Sequence, residues 1–233
     1  MKKYHIFLIV AFLAVWIWAA INPVFPHDWL LENYLVFIFV PIIIGLGYFF
    51  KLSKVSYTLL TVFLMLHVIG SHYTYEHVPF GNTLQEWFGA SRNMYDRMVH
   101  FLCGFLLFYP IREMFMRLAR VKGIWSYIIP IDLWGSFSAL YEIIEWRAAA
   151  SVDPAAGLAF LGSQGDIWDA QKDMALALCG AVLAALVIFL INMKYKKDFW
   201  KDMKDSVRRH RGDHELGEVE LSRMIKEKRE EDK

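Results

Sequence analysis

The chain has 233 residues, of which 57% are hydrophobic and 16% aromatic, and its mean hydropathy is +0.33. Soluble domains usually contain about 45–50% apolar residues, so this composition favours a protein that lies in a lipid bilayer. The formal net charge is +1, and the basic residues stand at the ends of apolar stretches and in the C-terminal tail. This distribution excludes nucleic-acid binding as the main function.

Six apolar stretches are long enough, or nearly so, to cross a membrane. A membrane-spanning helix needs about 20 mostly apolar residues, and open strand edges are not tolerated in hydrocarbon. The six predicted spans are Tyr4–Ile21, Tyr34–Phe50, Val55–Ser71, Met98–Leu118, Ile124–Trp146 and Met174–Met193. The sequence therefore predicts an all-α fold, a polytopic membrane bundle of six transmembrane helices.

Lysine and arginine cluster in every second turn between these stretches, and this pattern predicts how the chain is oriented. The basic clusters lie near residues 2–3, 51–54, 112–122 and 194–197. By the positive-inside rule, these turns and both termini face the cytoplasm. The outer side then carries three loops, at roughly 22–33, 72–97 and 147–173. The first stretch lacks a small-x-small cleavage site, so we predict an uncleaved helix.

The charge pattern divides the chain into two parts. Residues 1–195 hold the predicted spans, whereas residues 196–233 interleave Lys, Arg, Asp and Glu. We therefore predict a transmembrane domain followed by a charged cytoplasmic tail that is partly helical or disordered. Cys103 and Cys179 lie in apolar stretches without metal-ligand spacing, and we interpret both as small core residues.

Ionisable residues stand at the outer ends of the third and fourth predicted helices. Such groups are costly inside a membrane unless they are paired or functional. His67 lies in the third helix, and His72 lies at its outer end. Asp96 and His100 are four residues apart at the start of the fourth helix, so they lie on one helix face.

The fifth and sixth predicted helices add carboxylates at the same level. Glu142 and Glu145 are three residues apart near the outer end of the fifth helix. Asp166, Asp169 and Asp173 form an i, i+3, i+7 stripe where the sixth helix begins. Given the predicted topology, these sets all face the outer leaflet, and we expect them to share one site.

This outer cluster combines the ligand types that divalent metals prefer. Mixed histidine and carboxylate ligands suit Zn²⁺ or Mn²⁺, and a purely oxygen set suits Mg²⁺ or Ca²⁺. The candidate metal ligands, not all used at once, are His67, His72, Asp96, His100, Glu142, Glu145, Asp166, Asp169 and Asp173. Their six carboxylates outnumber the fixed positive charges counted nearby, Arg97 and Lys172. Either some of these acids stay protonated or a bound cation balances the excess. The alternative is a network of Asp–Arg and Glu–His pairs that closes the bundle without chemistry.

Several short runs of this sequence resemble a known family. The runs HYTYEHVPFG, NMYDRMVHF, YEIIEW and GSQGDIWDAQKDM are similar to those of the YjdF family, bacterial inner-membrane proteins classified as a domain of unknown function. The resemblance covers roughly residues 5–195. It implies a multi-pass protein of the bacterial cytoplasmic membrane.

A more distant resemblance is to the VanZ-like family, which is linked to glycopeptide resistance at the cell envelope. The VanZ-like pattern maps onto Asp96, Arg97, His100 and Phe101, then Glu142 or Glu145, then Asp169 and Asp173. Arg97 replaces the family's usual lysine, and Asp173 replaces an asparagine often found near the last site. These departures mean that no shared activity follows from the pattern.

These observations lead to two functional hypotheses. In the first, the protein is a metal-dependent membrane hydrolase that acts on a lipid or an envelope precursor, with a metal-activated water and a carboxylate as general base. Its candidate catalytic residues are Asp96, His100, Glu142 and Asp169. In the second, it is a non-catalytic membrane protein or transporter-like bundle that binds a cation or a polar head group. Transporters usually place their sites near the bilayer midplane, and this cluster is shallower.

Overall fold

The computed structural model describes residues 2–151, 157, 161, 163–208 and 217–232. These residues form helices, and no strand occurs among them. In chain order the helices are α1 (Lys2–Ala20), α2 (Pro26–Phe49), α3 (Lys54–His72), α4 (Pro79–Phe88), α5 (Tyr95–Leu118), α6 (Trp125–Ala149), α7 (Asp169–Tyr195), α8 (Phe199–Val207) and α9 (Glu218–Glu231). The predicted all-α fold is therefore confirmed.

Five of the described helices, α1, α2, α3, α5 and α7, are long and apolar enough to cross a membrane. α6 has 25 residues and packs along α5 and α7. At ~1.5 Å per residue it is long enough to span the bilayer, but Asp132, Glu142, Glu145 and Arg147 lower its mean hydropathy. A sixth crossing by α6, and the cytoplasmic location of both termini, remain predictions of the sequence.

The bundle is built on the contact between α5 and α7, which is the most extensive of its helix pairs. A Cβ added to Gly104 on α5 would overlap the carbonyl oxygen of Ala177 on α7. A Cβ added to Gly180 on α7 would likewise overlap the carbonyl oxygen of Phe101. Glycine lets the two backbones touch, which is how membrane helices commonly associate. The contact sets the N-terminal ends of α5 and α7, with their acidic residues, side by side.

The second span begins earlier than the sequence predicts. α2 starts at Pro26, which suits the first turn of a helix, so residues 26–33 are helical rather than part of a loop. Polar residues lower the mean hydropathy of this part of the helix, so the sequence did not indicate a span there. Asn33 is nevertheless buried, and its side-chain amide is hydrogen-bonded. Its Oδ1 accepts a hydrogen bond of 2.7 Å from Trp16 Nε1, and its Nδ2 donates one of 3.4 Å to Ser71 Oγ. Asn33 thus joins α1, α2 and α3.

The segment between α3 and α5 contains the short helix α4. Its first residue is Pro79, and it is ended by Gly89, whose φ of 60° favours glycine. Phe80, Trp87 and Phe88 are exposed on it. Exposed aromatic residues on a short amphipathic helix are typical of a segment that lies in the membrane interface.

The beginning of the tail packs against the bundle. Phe199 of α8 is buried, and its ring centroid lies 4.9 Å from that of Phe189 on α7. Ser206 Oγ accepts a hydrogen bond of 3.0 Å from the Ile124 N–H, and the Ser206 carbonyl accepts one of 2.9 Å from Trp125 Nε1. α8 is therefore attached to the turn between α5 and α6, whereas the side chains of α9 are largely exposed.

The two cysteines occupy different environments. Cys103 on α5 is half-buried and packs against the hydrophobic core, as predicted for a core residue. Cys179 is exposed on α7, so its prediction as a core residue was wrong. The helical period turns position 179 toward lipid while Ala177, Gly180 and Ala181 face the bundle, and an apolar stretch does not reveal which side a residue takes.

Candidate functional site

Asp96, His100 and Asp173 come together at the N-terminal end of the contact between α5 and α7. Asp96 and His100 stand one helical turn apart, and His100 Nε2 lies 3.4 Å from Asp96 Oδ1. Each of the three residues offers one potential ligand atom, and these atoms lie within 4.8 Å of one another. Within the described part of the chain, no other group of three His, Cys, Asp or Glu residues meets this criterion.

Arg97 ties the start of α7 to α5. Its Nη2 lies 3.0 Å from Asp166 Oδ2 and 2.6 Å from Asp169 Oδ1. Its Nη1 lies 2.7 Å from Asp173 Oδ1, an ion pair without hydrogen-bond alignment. Asp166 precedes α7 and sits in a turn, so the predicted stripe is helical only from Asp169 onward. One buried guanidinium group therefore forms ion pairs with all three aspartates.

Arg92 is a second buried cation, which the sequence analysis did not include. It forms an ion pair with Asp169, and its Nη2 lies 3.3 Å from Asp96 Oδ2. The fixed positive charges at the cluster are therefore Arg92, Arg97 and Lys172, one more than the sequence analysis counted. The spacing of four residues between Arg92 and Asp96 could have indicated this ion pair from the sequence. Arg92 lies in the turn before α5, however, where helical spacing is a weaker guide.

Asp166 is the most exposed aspartate of the cluster. Lys172 Nζ donates a hydrogen bond of 2.7 Å to its Oδ2, and the Trp168 N–H donates one of 3.1 Å to its Oδ1. These two hydrogen bonds, the one from Lys172 foremost, hold the pKa of Asp166 below its usual range. Asp166 therefore stays ionised at neutral pH and anchors the turn that leads into α7.

Three glutamates lie on the other side of His100. Glu142 Oε1 is 4.0 Å from His100 Nδ1, and Tyr141 donates a hydrogen bond of 3.4 Å from its hydroxyl to Glu32 Oε2. Glu32 was missed from the sequence because it fell in a predicted loop, and it belongs to α2. No ion pair among the described residues joins Glu32, Glu142 or Glu145 to a lysine or arginine.

The cluster thus has two halves. The ion-paired half consists of Asp166, Asp169 and Asp173 with Arg92, Arg97 and Lys172. The glutamate half consists of Glu32, Glu142 and Glu145. Asp96 and His100 lie between the two, since Asp96 contacts Arg92 and His100 approaches Glu142.

His67 and His72 are engaged in helix-to-helix hydrogen bonds. His67 Nε2 donates to the Glu32 carbonyl at 3.1 Å, and the Tyr75 hydroxyl lies 2.5 Å from Nδ1, where it donates to the neutral ring. Burial raises the pKa of Tyr75 well above its usual value, which keeps this donor protonated. His72 Nδ1 donates to the Ala19 carbonyl at 3.0 Å, so it faces α1. A metal could bind His67 only by displacing one of its two hydrogen bonds.

A cavity of about 310 Å³ extends from the glutamate half into the bundle. Its polar end is lined by Asp28, Glu32, Thr74, Tyr75, Asp96, His100, Tyr141 and Glu145. Its body is apolar and includes Ile43, Leu60, Leu107 and Ile111. From Asp96 to Ile111 the α5 axis rises roughly 22 Å, at ~1.5 Å per residue, which is most of the ~30 Å hydrocarbon core. The cavity is therefore long, with a charged end at the level where α5 begins.

The cavity opens toward lipid between α2 and α6. Phe39 on α2 and Phe137, Leu140 and Ile144 on α6 line it and are also exposed on the outside of the bundle. α2 packs mainly on α3 rather than on α6. No lysine or arginine is found among the described residues that line the cavity. An amphiphile could enter sideways and would meet an acidic end.

Two comparisons connect this chain with known membrane proteins. Residues 4–194 match the family described as predicted membrane protein DUF2238. The chain is also 39% identical over 170 residues to the inner membrane protein YjdF of Escherichia coli (strain K12), an alignment that covers 70% of this chain and 79% of that protein. No solved structure matches the chain.

Proposed function

The chain belongs to the DUF2238 family of predicted membrane proteins and is a bacterial inner-membrane protein, and from this premise we propose that it binds an envelope lipid or lipid-linked precursor. The polar head of this ligand would lie among Glu32, Asp96, His100 and Glu145, and its apolar part would fill the cavity. The observation that carries the proposal is the cavity itself, because one continuous space has an acidic end and an apolar body.

The size and shape of the cavity support an elongated apolar ligand. Small-molecule sites have volumes of about 300–1,000 Å³, and the cavity volume of about 310 Å³ lies at the lower end of this range. A space that is long and narrow fits an alkyl chain better than a compact polar substrate. The lateral opening between α2 and α6 supports entry from the bilayer, where such ligands are dissolved.

The charges at the polar end favour particular head groups. Arg97 pairs with the aspartates near the start of α7, and Arg92 pairs with Asp169 and Asp96. Glu32 and Glu145 therefore line the cavity without a lysine or arginine partner among the described ion pairs. A carboxylate is stabilised by an opposite charge within ~4–6 Å. A head group with an ammonium group, or one that arrives with a divalent cation, would therefore suit this end.

Filling the cavity is expected to weaken lipid binding at least about tenfold, or ~1.4 kcal/mol. Cys103→Trp places an indole in the cavity body, because Cys103 lines it. Binding would be measured by native mass spectrometry of the purified, delipidated protein with added phosphatidylethanolamine. Cys179→Trp is the matched control, since Cys179 is exposed on α7 and is expected to bind as the wild type does. Equal binding by the two variants would contradict the proposed location.

A divalent cation at Asp96, His100 and Asp173 is a second proposal for the same site. One imidazole and two carboxylates suit Zn²⁺ or Mn²⁺. Two buried oxygens, Asp173 Oδ1 within the group and Glu142 Oε1 near His100, have no hydrogen-bond partner among the described residues. Atoms of this kind suit metal coordination, although Arg97 already contributes positive charge at Asp173.

Hydrolysis of the bound lipid would follow from such a cation. When bound, the metal would supply a water molecule of lowered pKa. Glu142 is the best-placed general base, because it has no lysine or arginine partner among the described ion pairs and lies near His100. Asp169 is held by both Arg92 and Arg97, so it would position the site rather than accept a proton.

Chelation is expected to lower the thermal midpoint of the purified protein, and added Zn²⁺ or Mn²⁺ to restore it. A ligand that binds only the folded state adds about 2.7 kcal/mol at a concentration of 100 Kd. His100→Gln should remove this response. His77→Gln is the control, because the His77 side chain is exposed and its ring lies beside Glu76 and Phe25 rather than in the cluster. If the chelator changes nothing and no metal co-purifies, the ion-paired network accounts for the cluster without a metal.

A further inference from the structure

Two polar side chains line the cavity far below its acidic end. Trp134 and Ser138 stand one helical turn apart on α6, and each is only 6% exposed. Trp134 Nε1 and Ser138 Oγ have no hydrogen-bond partner among the described residues. Buried side-chain donors in native proteins nearly always have a partner, so these two groups point to an acceptor that comes from outside the chain.

The depth of this pair restricts the acceptor. Ser138 lies seven residues before Glu145, or roughly 10 Å along the α6 axis, and Trp134 lies roughly 16 Å from it. The nearby lining includes Phe63, Leu64 and Leu107, which offer no polar group. A water molecule here would have only these two side-chain groups as nearby partners in the described part of the chain, the minimum of the about two to four that buried water normally has. The acceptor therefore belongs to a ligand that occupies the cavity.

We infer that Trp134 and Ser138 donate hydrogen bonds to an acyl carbonyl, so the cavity takes an acyl lipid rather than an isoprenoid-linked precursor. This inference rests on the proposed function and names the substrate class of the same site. An extended glycerolipid carries its ester carbonyls a short distance below its head group, and with the head at Glu145 they reach the level of Ser138. An isoprenoid chain has no acceptor at this depth, so it would leave both donors unpaired.

The test compares ester-linked phosphatidylethanolamine with its ether-linked counterpart of the same chain length. The full-length protein, delipidated and held in detergent, would be titrated with each lipid and analysed by native mass spectrometry. We expect the wild type to bind the ester lipid about fivefold to tenfold more tightly, since the ether lacks the carbonyl. In Trp134→Phe combined with Ser138→Ala, this preference should disappear while affinity for the ether lipid is retained.

The outcomes separate this inference from the proposed function. Equal binding of both lipids by the wild type would overturn the carbonyl contact and leave lipid binding intact. Binding of neither lipid would overturn the proposed function as well. Tighter binding of a long-chain isoprenyl phosphate than of the ester lipid would overturn the substrate class. If the double variant does not fold, the single variant Ser138→Ala decides the assignment. Its ratio of affinities for the ester and ether lipids is expected to lie between the wild-type ratio and one.

Discussion

Gly104→Ala is expected to leave little folded protein, because the added methyl group has no room. Its Cβ would overlap the Ala177 carbonyl oxygen and also crowd the Ala181 nitrogen, and both are backbone atoms of α7. Overpacking a well-packed core costs about 1–3 kcal/mol and occasionally more, and a clash with backbone lies at the upper end. The measurement is the yield and thermal midpoint of the monodisperse peak in detergent.

Gly135→Ala is the matched control for this substitution. Gly135 lies inside α6, and the nearest atom to an added Cβ is a Leu178 methyl carbon at 3.9 Å, an ordinary contact. Alanine is favoured over glycine within a helix by roughly 0.5–1 kcal/mol, so this variant is expected to match or exceed the wild type. Gly180→Ala should fail as Gly104→Ala does, because its Cβ meets the Phe101 carbonyl. A stable Gly104→Ala protein would contradict the close approach of α5 and α7.

Arg97→Ala is expected to destabilise the protein by about 3–5 kcal/mol, the cost of leaving buried carboxylates without their partner. Arg97 is buried and pairs with Asp166, Asp169 and Asp173, so its loss leaves mainly Arg92 to balance Asp169. Arg97→Lys should recover only part of this loss, because one ammonium group lacks the planar fork that reaches three acceptors. The measurement is the thermal midpoint in detergent.

Lys172→Ala separates this effect from a general loss of positive charge. Lys172 is 54% exposed and pairs only with Asp166, so its removal should cost about 0–1 kcal/mol. In the double variant Arg97→Ala with Asp169→Ala, the loss should be smaller than the sum of the single losses, because residues in contact couple. Additive losses, or equal effects of Arg97→Ala and Lys172→Ala, would show that the ion-paired half does not hold α5 to α7.

Much of the candidate site could be predicted from spacing along single helices. Asp96 and His100 are neighbours because residues four apart share a helix face, and the structure has them 3.4 Å apart. The residues that join them from other elements gave weaker signals. Arg92 lies in a turn, and Glu32 fell in a stretch that hydropathy assigned to a loop because Asp28, Glu32 and Asn33 interrupt it.

The division of the cluster into two halves could not be predicted, because it depends on which carboxylates each arginine reaches. The sequence places Arg97 beside Asp96, yet the guanidinium pairs with the aspartates of α7. Residues next to each other along a helix point about 100° apart, whereas packing against α7 brings distant residues within reach. The same packing turned His67 and His72 toward backbone carbonyls rather than toward Asp96.

By itself the sequence determined the membrane class, the all-α fold, five of the spans and the family, because hydropathy over ~20 residues and short motifs are local properties. The cavity and its unpaired donors, Trp134 and Ser138, were decided by tertiary structure alone. Lipid tails are as apolar as the side chains between helices, so hydrophobicity does not say which helix faces meet. Glycine at 104 and 180 draws α5 against α7, and the space left between α2 and α6 becomes the cavity.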